Sequence, residues 1–174
     1  MMVRRSLYLP LIVVLCLGAP PAARATSSAS ATMTVTATVI STCTISSGNL
    51  AFGNYDAVGA NATTPLNATA QISTTCTQGA TATVDIDAGL NPSGTGNAQQ
   101  RRMKGTGTNY LLYDIYQDSS RSQRWGTKTS GTTRPVTGTG AGTPVSLTAY
   151  GSVPSGQNAA VGSYTDSVAV TVNY

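Results

Sequence analysis

Residues 28–39 read Ser28-Ala29-Ser30-Ala31-Thr32-Met33-Thr34-Val35-Thr36-Ala37-Thr38-Val39, a strict alternation of polar and apolar side chains. Side chains of a strand point to opposite faces in turn, so a period of two held over a dozen residues predicts a β-strand with one apolar face. The same period returns downstream. It runs through Leu66, Ala68, Ala70 and Ile72 to Cys76, then through Ala80, Ala82, Val84, Ile86 and Ala88. Leu111, Tyr113 and Ile115 share a face, as do Val145, Leu147 and Ala149, and the chain closes on Tyr164, Val168, Val170, Val172 and Tyr174. Turn clusters such as Gly94-Thr95-Gly96-Asn97, Gly105-Thr106-Gly107 and Gly138-Thr139-Gly140 separate these runs. Several strands with glycine and proline punctuation predict an all-β sandwich.

Composition supports that reading and excludes much chemistry. The 174 residues hold no histidine and no glutamate, and only 9% are charged. Without histidine there is no imidazole base, no Ser-His-Asp triad and no imidazole metal ligand. Few charges to pair at i,i+4 make a long exposed helix unfavourable. Asp85-x-Asp87 before Gly89 lacks the second converging aspartate that an acid-protease pair needs, and reads as a strand end beside a turn. Gly138, Gly140 and Gly142 lack the lysine and following helix of a phosphate loop. Asn61-Ala62-Thr63 and Asn67-Ala68-Thr69 match glycosylation sequons by chance in a threonine-rich chain. Trp125 and the tyrosines suit packing better than a sugar-binding surface.

Met1–Arg5 is basic, Leu7–Leu17 is an 11-residue apolar run, and Ala23-Arg24-Ala25 has the small-x-small form of a cleavage site. Residues 1–25 are therefore expected to be an export signal. The apolar run is too short to span a bilayer, so no stable membrane insertion is expected. Cys16 lies in that run behind the bulky Leu15, which argues against a lipid anchor. Removal leaves 149 residues with 7 basic and 6 acidic side chains. The basicity was mostly signal, and nothing points to nucleic acid. Arg101, Arg102 and Lys104 remain as a cluster beside a glycine-rich loop, expected to be a solvated face. The two remaining cysteines, Cys43 and Cys76, are expected to form one disulfide in an exported chain. It would close a 34-residue loop, with a stabilisation of about 3–4 kcal/mol. A metal or redox pair is disfavoured, since C-x-x-C spacing and histidine are both lacking.

The first alternating run follows the cleavage site with no turn before Cys43. It either folds back as an ordinary edge strand or leaves its own domain to pair with another copy, and periodicity does not separate the two.

The chain resembles the spore coat protein U domain family, which supplies subunits of archaic chaperone–usher pili. The resemblance lies in Thr42-Cys43-Thr44-Ile45 after the alternating start, Leu50-Ala51-Phe52-Gly53-Asn54-Tyr55-Asp56, and Cys76 after Ile72-Ser73-Thr74-Thr75. It continues in Leu111–Asp118, Arg124-Trp125-Gly126 and Gly162–Tyr174. The resemblance implies an incomplete immunoglobulin-like β-sandwich, residues 38–174, lacking one strand and completed by donor-strand exchange. It implies a donor strand within residues 26–37, with Ala29, Ala31, Met33, Val35 and Ala37 entering the groove of another subunit. Cys43 and Cys76 would match the family disulfide. Tyr164, Val168, Val170, Val172 and Tyr174 would form the strand that borders the groove and meets a periplasmic chaperone. Implied partners are identical or related pilin subunits in an open polymer, the chaperone and an outer-membrane usher. The implied role is a filament subunit at the cell surface, reached through the periplasm and supporting adhesion and biofilm formation. No enzyme activity, cofactor or metal is expected. The alternatives are a secreted spore-coat or surface-matrix protein of the same family and, third, a monomeric carbohydrate-binding module.

Overall fold

The structure, a computed structural model, describes residues 23–95, 99–140 and 142–174. The apolar run Leu7–Leu17 with Cys16, and part of the Gly94–Asn97 turn, lie outside the described residues. The chain divides between Ala37 and Thr38 into two units. In the first unit, residues 23–37 form no helix or strand and are all exposed. Met33 is 85% and Val35 83% exposed. The run from Ala29 to Val39 is thus no strand here, despite its alternation. A period of two says where side chains point, but a strand also needs a neighbour for its N–H and C=O groups.

The second unit is all-β, with eight strands among the described residues: β1 Cys43–Ser47, β2 Leu66–Cys76, β3 Thr81–Ile86, β4 Arg101–Lys104, β5 Tyr110–Tyr116, β6 Arg134–Thr137, β7 Val145–Val153 and β8 Val170–Asn173. They form two sheets, in the order β1-β2-β7-β5-β4 and β6-β3-β8, with every pairing antiparallel. The alternation decides the layers. Ile72 and Thr74 of β2, Val84 and Ile86 of β3, Leu111, Tyr113 and Ile115 of β5, and Leu147, Ala149 and Val153 of β7 are buried. Their neighbours Asn67, Thr69, Gln71 and Ser146 face outward. Asn67 and Thr69 pair across with Ser152 and Tyr150 of β7. Trp125 is fully buried and donates through Nε1 to Val84 O at 2.8 Å, so it fills the core and offers no surface to a sugar. Cys43 and Cys76, opposite each other in the β1–β2 register, are joined by a disulfide.

Three short strands have too little alternation to be read from sequence. β1 and β4 are five and four residues long, and β6 carries Pro135, tolerated because β6 is a sheet edge. The last run is strand only from Val170, although half-burial of Tyr164, Asp166, Val168, Val170 and Val172 keeps its period.

The expectation of a solvated basic cluster fails at Arg101, which is 1% exposed. From β4 its guanidinium donates to Asp114 Oδ1 (2.7 Å) of β5, Ile86 O (2.8 Å), Asp87 O (2.7 Å) and Trp125 O (2.8 Å). Arg124 Nε lies 2.7 Å from Asp114 Oδ2. A planar fork with five donors can satisfy one carboxylate and three carbonyls at once, which an ammonium cannot. Arg101 thus pins the edge of the large sheet to the end of β3. Arg102 is half-buried over the Tyr110 ring at 4.0 Å, and only Lys104 of the three is exposed.

Arg101→Ala leaves Asp114 short of a partner and three carbonyls short of a donor. It is expected to lower unfolding free energy by about 3–5 kcal/mol, read in urea from the fluorescence of Trp125, the single tryptophan.

Candidate functional site

Among the described residues β1 and β8 approach each other but share no hydrogen-bonded ladder. β1 is the outer strand of the large sheet and β8 the outer strand of the small one. Between the chain leaving β1 and the approach to β8 runs a trough of mixed polar and apolar lining, made of two cavities of about 390 and 820 Å³, which share Leu50, Phe52, Met103 and Tyr164. Ala70, Ile72, Ile86, Tyr113, Ile115 and Ala149 line the smaller one, and Leu66, Leu111 and Val153 the larger.

The first rim is the chain leaving β1. Gly48 N–H still bonds Gln71 O at 2.8 Å, but from there to Tyr55 the rim belongs to no strand. Side chains hold it instead. Phe52 meets Tyr113 edge-on, with ring centroids 6.0 Å apart. Gly151 of β7 leaves the notch that Leu50 and Phe52 fill, since a Cβ there would lie 2.8 Å from atoms of both. At the far end Tyr55 OH donates to Pro154 O (2.9 Å) and accepts from Gln157 N–H (3.0 Å). The Gln157 amide in turn accepts from Leu112 N–H (2.7 Å) and donates to Leu112 O (2.9 Å), standing in for a strand neighbour.

The second rim is the approach to β8. Thr165 exchanges both backbone bonds with Lys104 at the edge of the large sheet (2.8 and 3.0 Å). The chain then passes to β3, where Asp87 N–H donates to Ala169 O at 3.0 Å, in register with Asp85↔Thr171 and Thr83↔Asn173. In an antiparallel ladder, residues alternate between bonding the neighbour and facing away. Ala169, Thr171 and Asn173 therefore bond β3, and the backbone groups of Val168, Val170 and Val172 point to the open side. The side chains of these three valines are the half-buried ones that pack on the core. An apolar wall and a row of free donors and acceptors thus occupy the same residues.

One polar pair sits in the trough. Tyr113 OH donates to Asp166 Oδ2 at 2.7 Å, and Asp166 Oδ1 accepts from Leu90 N–H at 3.0 Å. Burial first, and then that hydrogen bond to Asp166, push the Tyr113 hydroxyl far above the ordinary tyrosine value.

Tyr164, Val168 and Val170 line the trough, Val172 packs on the core without lining it, and Tyr174, at 61% exposure, does not line it either. Ala29, Ala31, Met33, Val35 and Ala37 belong to the other unit and are exposed. Leu50, Phe52, Met103 and Tyr113 were not singled out as groove residues from the sequence, though the spacing of Leu50 and Phe52 carries a short alternating signal. Among the described residues no three His, Cys, Asp or Glu side chains gather as a metal site, and no helix is long and apolar enough to cross a membrane.

The family model of the Spore Coat Protein U domain matches residues 29–171. The chain belongs to the spore coat protein U domain family. It is 40% identical over 158 residues to Protein U of Myxococcus xanthus, covering 88% of this chain and 87% of that one. Among solved structures it resembles a chain of the CsuC–CsuE chaperone–tip adhesion subunit pre-assembly complex from the archaic chaperone–usher Csu pili of Acinetobacter baumannii. The TM-score is 0.54 at 25% identity, over 79% of this chain and 41% of that chain. The chain thus spans less than half of that chain's length. The immunoglobulin-like two-sheet architecture is common to both.

Two outcomes test this geometry. Gly151→Val should push Leu50 and Phe52 out of their notch and raise binding of an apolar dye such as ANS to the trough. For Tyr113, a folded pKa raised above the unfolded value of about 10 means that its contribution is complete below that pH and is lost as pH rises beyond it. Stability should therefore fall above pH ~10 in the parent, and less steeply in Tyr113→Phe.

Proposed function

We propose that the chain is a structural subunit of an extracellular pilus assembled by the chaperone–usher route. Residues 1–25 direct export. The groove of residues 38–174 is held by a periplasmic chaperone and then, at an outer-membrane usher, takes the N-terminal segment of a neighbouring subunit. Repetition gives an open, head-to-tail polymer, because donor and groove are different surfaces. The filament would support adhesion and biofilm formation.

The observation that carries this reading is the backbone edge of Val168 and Val170, unpaired among the described residues, beside a trough floored by apolar side chains. A segment that alternates Ala29, Ala31, Met33, Val35 and Ala37 with serines and threonines has the pattern such an edge accepts: backbone bonds to the edge, apolar side chains into the trough, hydroxyls outward. Ten residues of strand reach about 33 Å. Each backbone bond contributes about 0.5–1.5 kcal/mol net, and each buried Met or Val about 1.5–3 kcal/mol. The family match begins at Ala29 and so takes in this segment, and the structural relative comes from a pilus pre-assembly complex.

A second reading, a secreted spore-coat or matrix protein, is favoured by the family's description, Spore Coat Protein U domain. It shares the groove but requires deposition on a surface without chaperone or usher. The carbohydrate-module reading loses its main support with Trp125 buried.

Deleting residues 28–37 is expected to abolish filaments seen by electron microscopy while leaving the chaperone-bound subunit intact. Normal filaments after the deletion would overturn the proposal, and filaments that form without chaperone and usher would favour the coat reading. In a Ser28–Ala37 peptide, Met33→Ala should weaken capture by the groove about 10- to 100-fold, the equivalent of one buried large side chain. Isothermal titration of the chaperone-released subunit reads this directly.

A further inference from the structure

We infer that the Cys43–Cys76 disulfide diverts tension away from the groove wall. The inference rests on the reading of residues 28–37 as the link between subunits. In such a filament, any pull on the link enters the folded unit at Thr38 and reaches β1 at its first residue, Cys43.

β1 is poorly built to bear that load. It is the outer strand of the large sheet and five residues long, with only Cys43 buried and Ile45 half-buried. A ladder pulled from the free end of its outermost strand opens one pair at a time, so the load is never shared. The chain leaving β1 is the first rim of the groove. Beyond Gly48 it is held by the packing of Leu50 and Phe52, with no strand neighbour. Peeling that starts at Cys43 would therefore run into the wall that grips the next subunit, and tension on one joint would loosen the adjoining one.

The disulfide interrupts this sequence at its first step. Cys43 is bonded to Cys76, the last residue of β2. β2 is eleven residues long and lies between β1 and β7, paired on both sides. Load reaching Cys43 passes through sulfur into the interior of the sheet, and β1 with the rim behind it carries none. Thr77, the next residue, reinforces the junction. Its N–H donates to Thr42 O (2.9 Å), its hydroxyl donates to Ile40 O (3.1 Å), and Thr42 N–H donates to that hydroxyl oxygen (3.1 Å). The bond thus protects a site formed by other residues.

The test stretches single filaments of the full chain in an optical trap. One sample is oxidised, and the other is reduced after assembly and thiol-blocked, with reduction verified by mass. A Cys43→Ser/Cys76→Ser double variant serves as a second comparison where it assembles. Reduced filaments should yield at lower force than oxidised ones, with a lengthening step of up to roughly 40 Å for each yielding subunit, the extended length of residues 43–55. Superimposable force–extension traces, in filaments that still depend on residues 28–37, would overturn this inference and leave the proposed function standing. An intact chain that forms no filament, or one whose filaments survive deletion of residues 28–37, contradicts the proposed function and this inference together.

Discussion

A strand edge with no hydrogen-bonded neighbour among the described residues governs this molecule. The N–H and C=O groups of Val168, Val170 and Val172 cannot bond β3, because the Asp87–Ala169 bond commits the alternate residues to that side. The side chains of the same three residues pack on the core. Most sandwiches close both needs with one more strand. Among the described residues β1 and β8 come close without pairing, which leaves backbone groups of β8 without a strand partner beside half-buried apolar side chains. Edges of this kind invite pairing with another chain.

The molecule otherwise keeps its groove rigid. Arg101 joins the end of β4 to the end of β3, Tyr55 and Gln157 tie the first rim to the loop before the second, and Asp166 is fixed by Tyr113 and Leu90. These contacts work from both ends and the floor, and they leave the open side free. Under the proposed function, an edge strand held in register by such supports would be a prepared template that needs less ordering on binding.

Much of this was legible in the residues. Alternation located β2, β3, β5 and β7, because these strands have one face on the core and one toward solvent or a covering loop. The same property made the last run readable through Tyr164, Val168, Val170 and Val172, although pairing with β3 begins only at Val170. What alternation cannot encode is whether a neighbour exists. Residues 29–39 have the cleanest pattern in the chain and no strand structure, whereas β4, with four residues and two arginines, is a strand. Arg101 was missed for a related reason: its burial depends on carbonyls from Ile86, Asp87 and Trp125 that only the fold brings together. The rim residues Leu50 and Phe52 carry a short apolar alternation, but the Gly151 notch that seats them lies a hundred residues away.

If the edge of β8 is unmet, amide hydrogen exchange reads it residue by residue. In the isolated subunit the amides of Val168 and Val170 should exchange rapidly, while that of Thr171, bonded to β3, is protected. Adding the Ser28–Ala37 peptide should slow the two valines and leave Thr171 as it was. Valine amides already protected in the subunit alone would mean that the edge is occupied from within, and the account would be wrong.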